Sequence, residues 1–529
     1  MLEWAVGRMF RSAMRPPNQP STFVNDAENC ISSDRAAAVS AEDVEVDNSH
    51  HVLLKIATLY ADKLMNDISL IVGGIEYPAH RLILCASSDV FQVMLMNPQW
   101  SESHESRVVL QETPACAEIF GQFLRYFYTG QIKINHKIVT PLLALSDKYN
   151  VKDLTNLCIE YMCSHIALAA SNNQLVTWFQ YTLSIGHHIV AYVCQNFLKW
   201  NFELVAKSKD FANCTHEILS KLLQWNDLVV TNEITLYNYA VVWLEHQRQT
   251  LIEEGLTGDN LEFYMKNLVQ EIMSHIRFPM MTPRQLAELL LSPLTTKYKE
   301  FFIERMAIGM AFHSDQRERV LEVARSEAGK LQFTPRLYTA DTFSSTLCVD
   351  NFSSMPFYQT RTLVFSSHSG LAEHMGDKPC DWVIDLYPKG VWFPKCFLIV
   401  WQGTVELPES ILCSVRLSIT CRDVTEDYLR VKIGVLIVGL QDGTEHVVNV
   451  VEKNHYFSKD DRVLNIDNII PFDDLNLRLI KSDGHKRPPY TYLVGLNKDC
   501  LKVHIVIAPL SDVSSIEPQK DYFFHNRGR

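Results

Sequence analysis

The chain has 529 residues, 47% of them hydrophobic and 21% charged; that balance is ordinary for packed globular protein and excludes a wholly disordered, collagen-like or mucin-like chain. At about 150 residues per domain, the length predicts three or four domains. A formal charge of −12 is a poor match for phosphate backbones, so nucleic acid is not expected as a partner.

Residues 1–50 are rich in Ser, Ala, Asn and Pro without an apolar period, and read as a solvated arm. The start, MLEWAVGRMF, bears Arg and is weakly amphipathic, which leaves a mitochondrial presequence as a minor reading. It lacks the apolar core of a secretory signal, which predicts an intracellular chain. From His51 the pattern changes. Val52–Leu64 carries a helical apolar stripe. Asp67–Val72 alternates as a strand, Gly73-Gly74 turns the chain, and Ile75–Pro78 returns as its hairpin partner. Short helices are predicted over Arg81–Ala86 and Val90–Met96, a strand over Val108–Leu110, and amphipathic helices over Cys116–Tyr128 and Val139–Tyr149. From about 151 to 325 the pattern is almost wholly helical, with little Gly or Pro, as in stacked helical hairpins.

Near Ala328 the texture changes again. Thr362–Ser366, Trp382–Leu386, Cys396–Gln402, Ser414–Cys421, Leu429–Leu440, Glu445–Val451 and Leu501–Ala508 are short β-branched or aromatic runs, separated by turns such as Asp442-Gly443 and Asp483-Gly484. Seven or more strands without intervening helices predict an antiparallel β-sandwich with its own core over 328–510, followed by a polar tail over 511–529. Leu429–Leu440 is the most continuous apolar run, but Arg430 and Lys432 interrupt it, so it reads as a strand and no membrane insertion is expected.

Four motifs in order carry a family resemblance. They are Asp67–Val72, then Pro78-Ala79-His80-Arg81, then Leu84-Cys85-Ala86-Ser87-Ser88, then Phe127-Tyr128-Thr129-Gly130 followed by Leu142–Tyr149. This stretch resembles the BTB/POZ domain. Behind it, Cys194–Leu198, Asn201-Phe202, Leu222-Leu223, Asp227–Glu233 and Trp243-Leu244 stand in the order of the BACK domain. The whole chain looks most like the group of BTB/POZ domain-containing protein 17. The domains expected are an α/β BTB/POZ domain over 51–165, an all-α BACK domain over 166–327 and the C-terminal sandwich. Trp382…Tyr387-Pro388-Lys389-Gly390 is similar to a segment of TRAF/MATH-type sandwiches. A kelch propeller is not expected, because it needs a Gly-Gly doublet in each blade and Gly73-Gly74 is the chain's sole doublet.

The resemblance implies a homodimer, with Leu53, Ile56 and Leu59 on the first helix and a charged pocket of Asp67 and Arg81 at the seam. It also implies cullin-3 as a partner. In cullin-binding members the loop between the helix ending near Met96 and the strand at Val108 carries an apolar-x-Glu motif, and Trp100-Ser101-Glu102 matches it. Phe91, Met94 and Met96 are expected to extend that patch. A Trp folded back on its own domain is the structural alternative. The leading reading is therefore a non-catalytic substrate adaptor of a cullin-3 RING ubiquitin ligase, cytoplasmic or nuclear, with the sandwich recruiting an unknown protein substrate. The rival is a BTB–BACK scaffold or transcriptional co-regulator that binds no cullin.

No GxSxG, HExxH or P-loop tract is present, so no catalytic residue and no cofactor is expected. The thirteen cysteines include no CxxC pair and read as buried reduced thiols; no metal site is expected. His80 reads as a hydrogen-bonded structural residue, and His187-His188 as lacking an acidic partner. Lys481–Tyr490 is a basic loop.

Overall fold

A computed structural model describes residues 47–368, 379–391, 399–400, 403–404, 412–422, 424, 428–476 and 488–511. The expected arm apart from 47–50, the strand Cys396–Gln402 apart from Ile399–Val400, the basic loop apart from 488–490, and the tail beyond 511 lie outside the described residues. The chain divides between Leu54 and Lys55 into two units, the second holding everything that follows. A helix runs over Ser49–Ala61. Ile56 and Tyr60, in the second unit, pack on the core below them.

Alternation of apolar and polar residues builds β1 (Ile68–Val72), whose burial alternates in step with the sequence. It pairs antiparallel with β2 (Ile75–Ala79) and parallel with β3 (Arg107–Leu110). Gly73 and Gly74 both adopt positive φ, which a two-residue hairpin of this twist requires. Ser88 starts the helix Asp89–Met96 by accepting from the Phe91 N–H, and its hydroxyl donates to the Tyr149 carbonyl at 2.5 Å. Phe91 stacks on Tyr149 at 4.5 Å, and Phe120, Phe123 and Phe127 close around them. Thr113 caps the helix Pro114–Thr129, and left-handed Gly130 ends it.

Helices then follow from Lys152–Ser164 to Glu327–Gln332. Buried Asp210 caps the helix Leu175–Ile185, taking the Val176 N–H at 2.6 Å and the Thr177 hydroxyl at 2.7 Å. The apolar core runs without a break from Ile68 in the sheet to Met306 in the helices.

The C-terminal part is antiparallel and two-layered. One sheet has the order β14 (Val463–Ile466), β11 (Arg416–Cys421), β8 (Cys380–Tyr387) and β7 (Arg361–Ser367). The other has the order β13 (Thr444–Ser458), β12 (Tyr428–Gln441), β16 (Cys500–Pro509) and β15 (Leu493–Val494), with β6 (Ser344–Val349) also on β16. Ile399–Val400 pairs with Gly403–Thr404 as a small separate ribbon. Trp382, Ile384 and Leu386 of one sheet face Ile433, Val435, Val503 and Ile505 of the other across a core of their own. Asp442 and Gly443, both at positive φ, turn β12 into β13 as their sequence predicts.

The sandwich is joined to the helices through a short parallel ladder. β4 (Val229–Val230) pairs with β5 (Leu337–Tyr338). Val229, Leu337, Leu436 and Val506 form a small buried cluster there, with Trp200, Val447 and Val450 packed against it. β12 is thus covered on both faces, which accounts for the apolar run that follows Lys432. Gly434 sits where Leu337 crosses; a Cβ added there would lie 2.6 Å from the Leu337 side chain.

Candidate interaction surfaces

The helix Asp89–Met96 ends at Asn97, whose N–H reaches the Val93 carbonyl, and the Trp100 N–H then reaches the Asn97 carbonyl at 3.1 Å. A 3-10 turn over Ser101–Ser103 follows. The Trp100 carbonyl accepts from both the Ser103 N–H at 3.2 Å and the Ser103 hydroxyl at 2.7 Å. The backbone is therefore braced while the Trp100 side chain stays 48% exposed. Glu102 accepts from the Ser101 hydroxyl at 2.8 Å. Its own backbone N–H and that hydroxyl hold its carboxyl below the ordinary value.

The surroundings of this turn differ from expectation at two positions. Phe91 and Met94 are buried in the core and line no surface, because they lie on the inner face of their helix. Met96 is 65% exposed, and Val90 and Val93 join it on the outward face at i, i+3 and i+6. Val93 is the residue that the motif reading passed over; its spacing from Phe91 and Met94 was the available signal.

At the expected charged pocket, Asp67 and Arg81 do not pair side chain to side chain. Asp67 is exposed, and its carboxylate accepts the Arg81 backbone N–H at 2.8 Å, serving the start of the helix Arg81–Ser87. The Arg81 guanidinium donates to the Leu95 carbonyl at 3.2 Å and to the Glu105 carbonyl. It ties the end of one helix to the loop beyond Glu102. The pocket is therefore a cap and a carbonyl clamp. Of the apolar residues on the first helix, Leu53 is exposed, while Ile56 and Leu59 are half-buried. His80 bonds the Tyr128 hydroxyl at 3.0 Å and the Leu64 carbonyl at 2.7 Å, as a structural residue would. His187 has an acid after all: Asp147 lies 2.7 Å from its Nε2, forty residues away in sequence.

The joint to the sandwich holds a charged cluster that the sequence reading did not single out. Glu233 opens the helix Glu233–Glu253 and is fully buried with Arg336. It accepts from Arg336 at 3.1 Å, from the Arg277 N–H at 2.8 Å and from the Tyr338 hydroxyl at 2.7 Å. Burial alone pushes this carboxyl up; Arg336, Arg277 and the hydrogen bonds outweigh it and hold it below its ordinary value. Arg277 spends its own donors on the carbonyls of Thr334, Gln224 and Trp225 and on Asn226. Lys432, on β12, donates to the Asn226 carbonyl at 2.7 Å and pairs with Glu452 at 3.2 Å. Burial pushes its ammonium down to about 8. Asn201 completes the joint with two bonds to the Val447 backbone. The signal for these residues was an Arg inside an apolar run, as in Ile276-Arg277-Phe278-Pro279. Among the described residues no group of three or more His, Cys, Asp and Glu is placed to hold a metal. Among the same residues no helix is long and apolar enough to cross a membrane.

Family models match in the order of this architecture: the BTB/POZ domain over 57–166, the BTB And C-terminal Kelch domain over 175–256, and the BTBD17 TRAF domain over 333–511. The chain thus carries a BTB/POZ domain, a helical BACK domain and a C-terminal TRAF-type domain. It is similar to BTB/POZ domain-containing protein 17 of Xenopus laevis, 29% identical over 62% of this chain and 63% of the frog protein. The same protein of Homo sapiens is 26% identical over 67% of this chain and 69% of its own length. Galectin-3-binding protein of Bos taurus is 24% identical over 53% of this chain. The match spans about two thirds of the length of the first relatives and 47% of the bovine one. BTB, BACK and TRAF-type domains are non-catalytic domain types, and together they define an adaptor or protein-interaction architecture.

Proposed function

We propose that this chain is the substrate-recognition adaptor of a cullin-3 RING ubiquitin ligase. The BTB domain dimerises through its first helix, with Leu53, Ile56 and Leu59, and through the segment around Asp67 and Arg81. It docks cullin-3 through Trp100 and Glu102, flanked by Met96, while the TRAF-type sandwich recruits a protein substrate. Ubiquitin transfer is then the work of the bound ligase. The reading places the chain in the cytoplasm, with the nucleus as the alternative.

The observation that supports it is the braced turn at Trp100. A large aromatic side chain held half-exposed on a fixed backbone loses little freedom on binding, which is the property of an interface anchor. Glu102, ionised and held by Ser101, supplies an orienting charge at its side. Truncating such an aromatic typically costs about 2–4 kcal/mol of affinity, and removing a rim carboxylate costs less.

Co-precipitation of cullin-3 with the full chain tests this. Trp100→Ala combined with Glu102→Ala is expected to abolish capture while the unfolding midpoint stays within about 1 °C. A folded double variant that captures cullin-3 undiminished moves the contact elsewhere. A wild type that never captures it leaves the scaffold reading.

A further inference from the structure

Strand alternation sets Cys380, Trp382, Ile384 and Leu386 on the inner face of β8, and Leu417, Ile419 and Cys421 on the inner face of β11. The register puts Cys421 opposite Trp382, so Cys380 is its diagonal neighbour. Diagonal side chains in a flat ladder stand well apart, but strand twist shortens one of the two diagonals. Here it brings the two sulfurs to 3.3 Å in the buried core. That is closer than carbon atoms in ordinary contact, about 3.5–4.0 Å.

The backbone holds the pair in this position. The Arg422 N–H reaches the Asp381 carbonyl at 2.9 Å, and the Cys421 N–H reaches the Arg462 carbonyl at 3.0 Å on the other side. The Trp382 indole is drawn away by the Ser367 hydroxyl at 2.8 Å, leaving the diagonal to the sulfurs. The approach is that of an S–H···S hydrogen bond, in which either sulfur can be the donor.

We propose that Cys380 and Cys421 are a redox couple that closes to a disulfide joining β8 to β11 when a peroxide reaches the sandwich. One thiolate attacks a peroxide oxygen, the O–O bond breaks, and one water leaves, giving a sulfenic acid. The second sulfur attacks that sulfur and displaces its hydroxyl as a second water. Two thiols lose two protons and two electrons, and hydrogen peroxide gains them. The bond would span 41 residues of chain, a loop long enough for the crosslink to restrict the unfolded state substantially.

The test uses the full chain, purified under reductant, then treated with a small molar excess of hydrogen peroxide. Remaining thiols are blocked with N-ethylmaleimide and the protein is digested without reductant for peptide mass spectrometry. A peptide linking Cys380 to Cys421 is expected, absent before oxidation. The unfolding midpoint of the oxidised wild type is expected about 5–10 °C above the reduced form. Cys380→Val should remove both the link and the shift. Recovery of the two cysteines as separate blocked peptides, or linked to other cysteines, overturns the proposal. The wild-type peptide decides the question even if Cys380→Val fails to fold.

Discussion

Glu233, Arg277 and Arg336 place two guanidiniums and one carboxylate out of reach of bulk solvent, so each depends on the others for compensation. Glu233→Gln keeps the shape and removes the charge. We expect it to cost about 3–5 kcal/mol in denaturant unfolding, because Arg336 is then buried without its counter-ion; a loss under 1 kcal/mol would show that the carbonyl bonds suffice. Lys432 makes a different claim, on pH. Its ammonium falls to about 8 in the fold from an ordinary 10.5. Below pH 8 both folded and unfolded forms carry the proton, and this group adds no pH dependence to stability. Between about 8 and 10.5 the unfolded chain holds the proton and the folded chain has shed it, so unfolding takes up a proton and rising pH opposes it. The wild type should therefore gain on the order of 3 kcal/mol relative to Lys432→Met across that window. A flat difference between the two proteins from pH 7 to 10.5 would refute this. Little of the cluster was visible in the sequence. Glu233 lay within a motif that carries the BACK resemblance, but its partners Arg277 and Arg336 are 44 and 103 residues away, and no local pattern reports such a distance.

The short strand β5 shows where elements and domains part company. The change of texture near Ala328 marks where β-rich sequence begins, and the sandwich does have its own core. Yet Arg336, Leu337 and Tyr338 are buried in or against the helical domain, and Leu436 and Val506 of the sandwich turn outward to meet Leu337. An isolated 328–510 segment should keep its antiparallel strands and expose that apolar face. We expect it to self-associate in sedimentation velocity, whereas a segment from 152 to 511, which retains β4 and Trp200, should stay monodisperse. Monodisperse behaviour of 328–510 at micromolar concentration would contradict the joint as described. Element positions themselves were largely legible, since burial follows alternation in β8 and helical spacing in Pro114–Thr129. What alternation cannot report is a strand covered on both faces, as β12 is, or a two-residue strand such as β5 that forms because its partner is already in place.

For the whole molecule, one apolar core unites the BTB sheet with the helices behind it, and a charged, hydrogen-bonded joint fastens the sandwich to those helices. An adaptor with such joints would hold a recruited substrate at a defined distance from the ligase, with less freedom than a flexible linker allows. The two surfaces on which that account rests, the first helix and the Trp100 turn, were recognisable through motif order, while the division of Phe91 and Met94 from Val93 and Met96 required the helix to be packed. Arg81→Asp should destabilise the BTB domain by about 2–4 kcal/mol, because the Leu95 and Glu105 carbonyls lose their donor and a second acid meets Asp67; unchanged urea unfolding would count against the clamp. The central claim, a dimer that carries cullin-3 on its BTB domains, is met most directly by light scattering coupled to size exclusion, with the full chain alone and mixed with cullin-3. The account predicts twice the chain mass of 60.7 kDa alone and, with cullin-3, a complex of two chains and two cullins that Trp100→Ala with Glu102→Ala returns to the bare dimer. A single-chain mass at micromolar concentration, or a dimer whose mass does not change when cullin-3 is added, would contradict it.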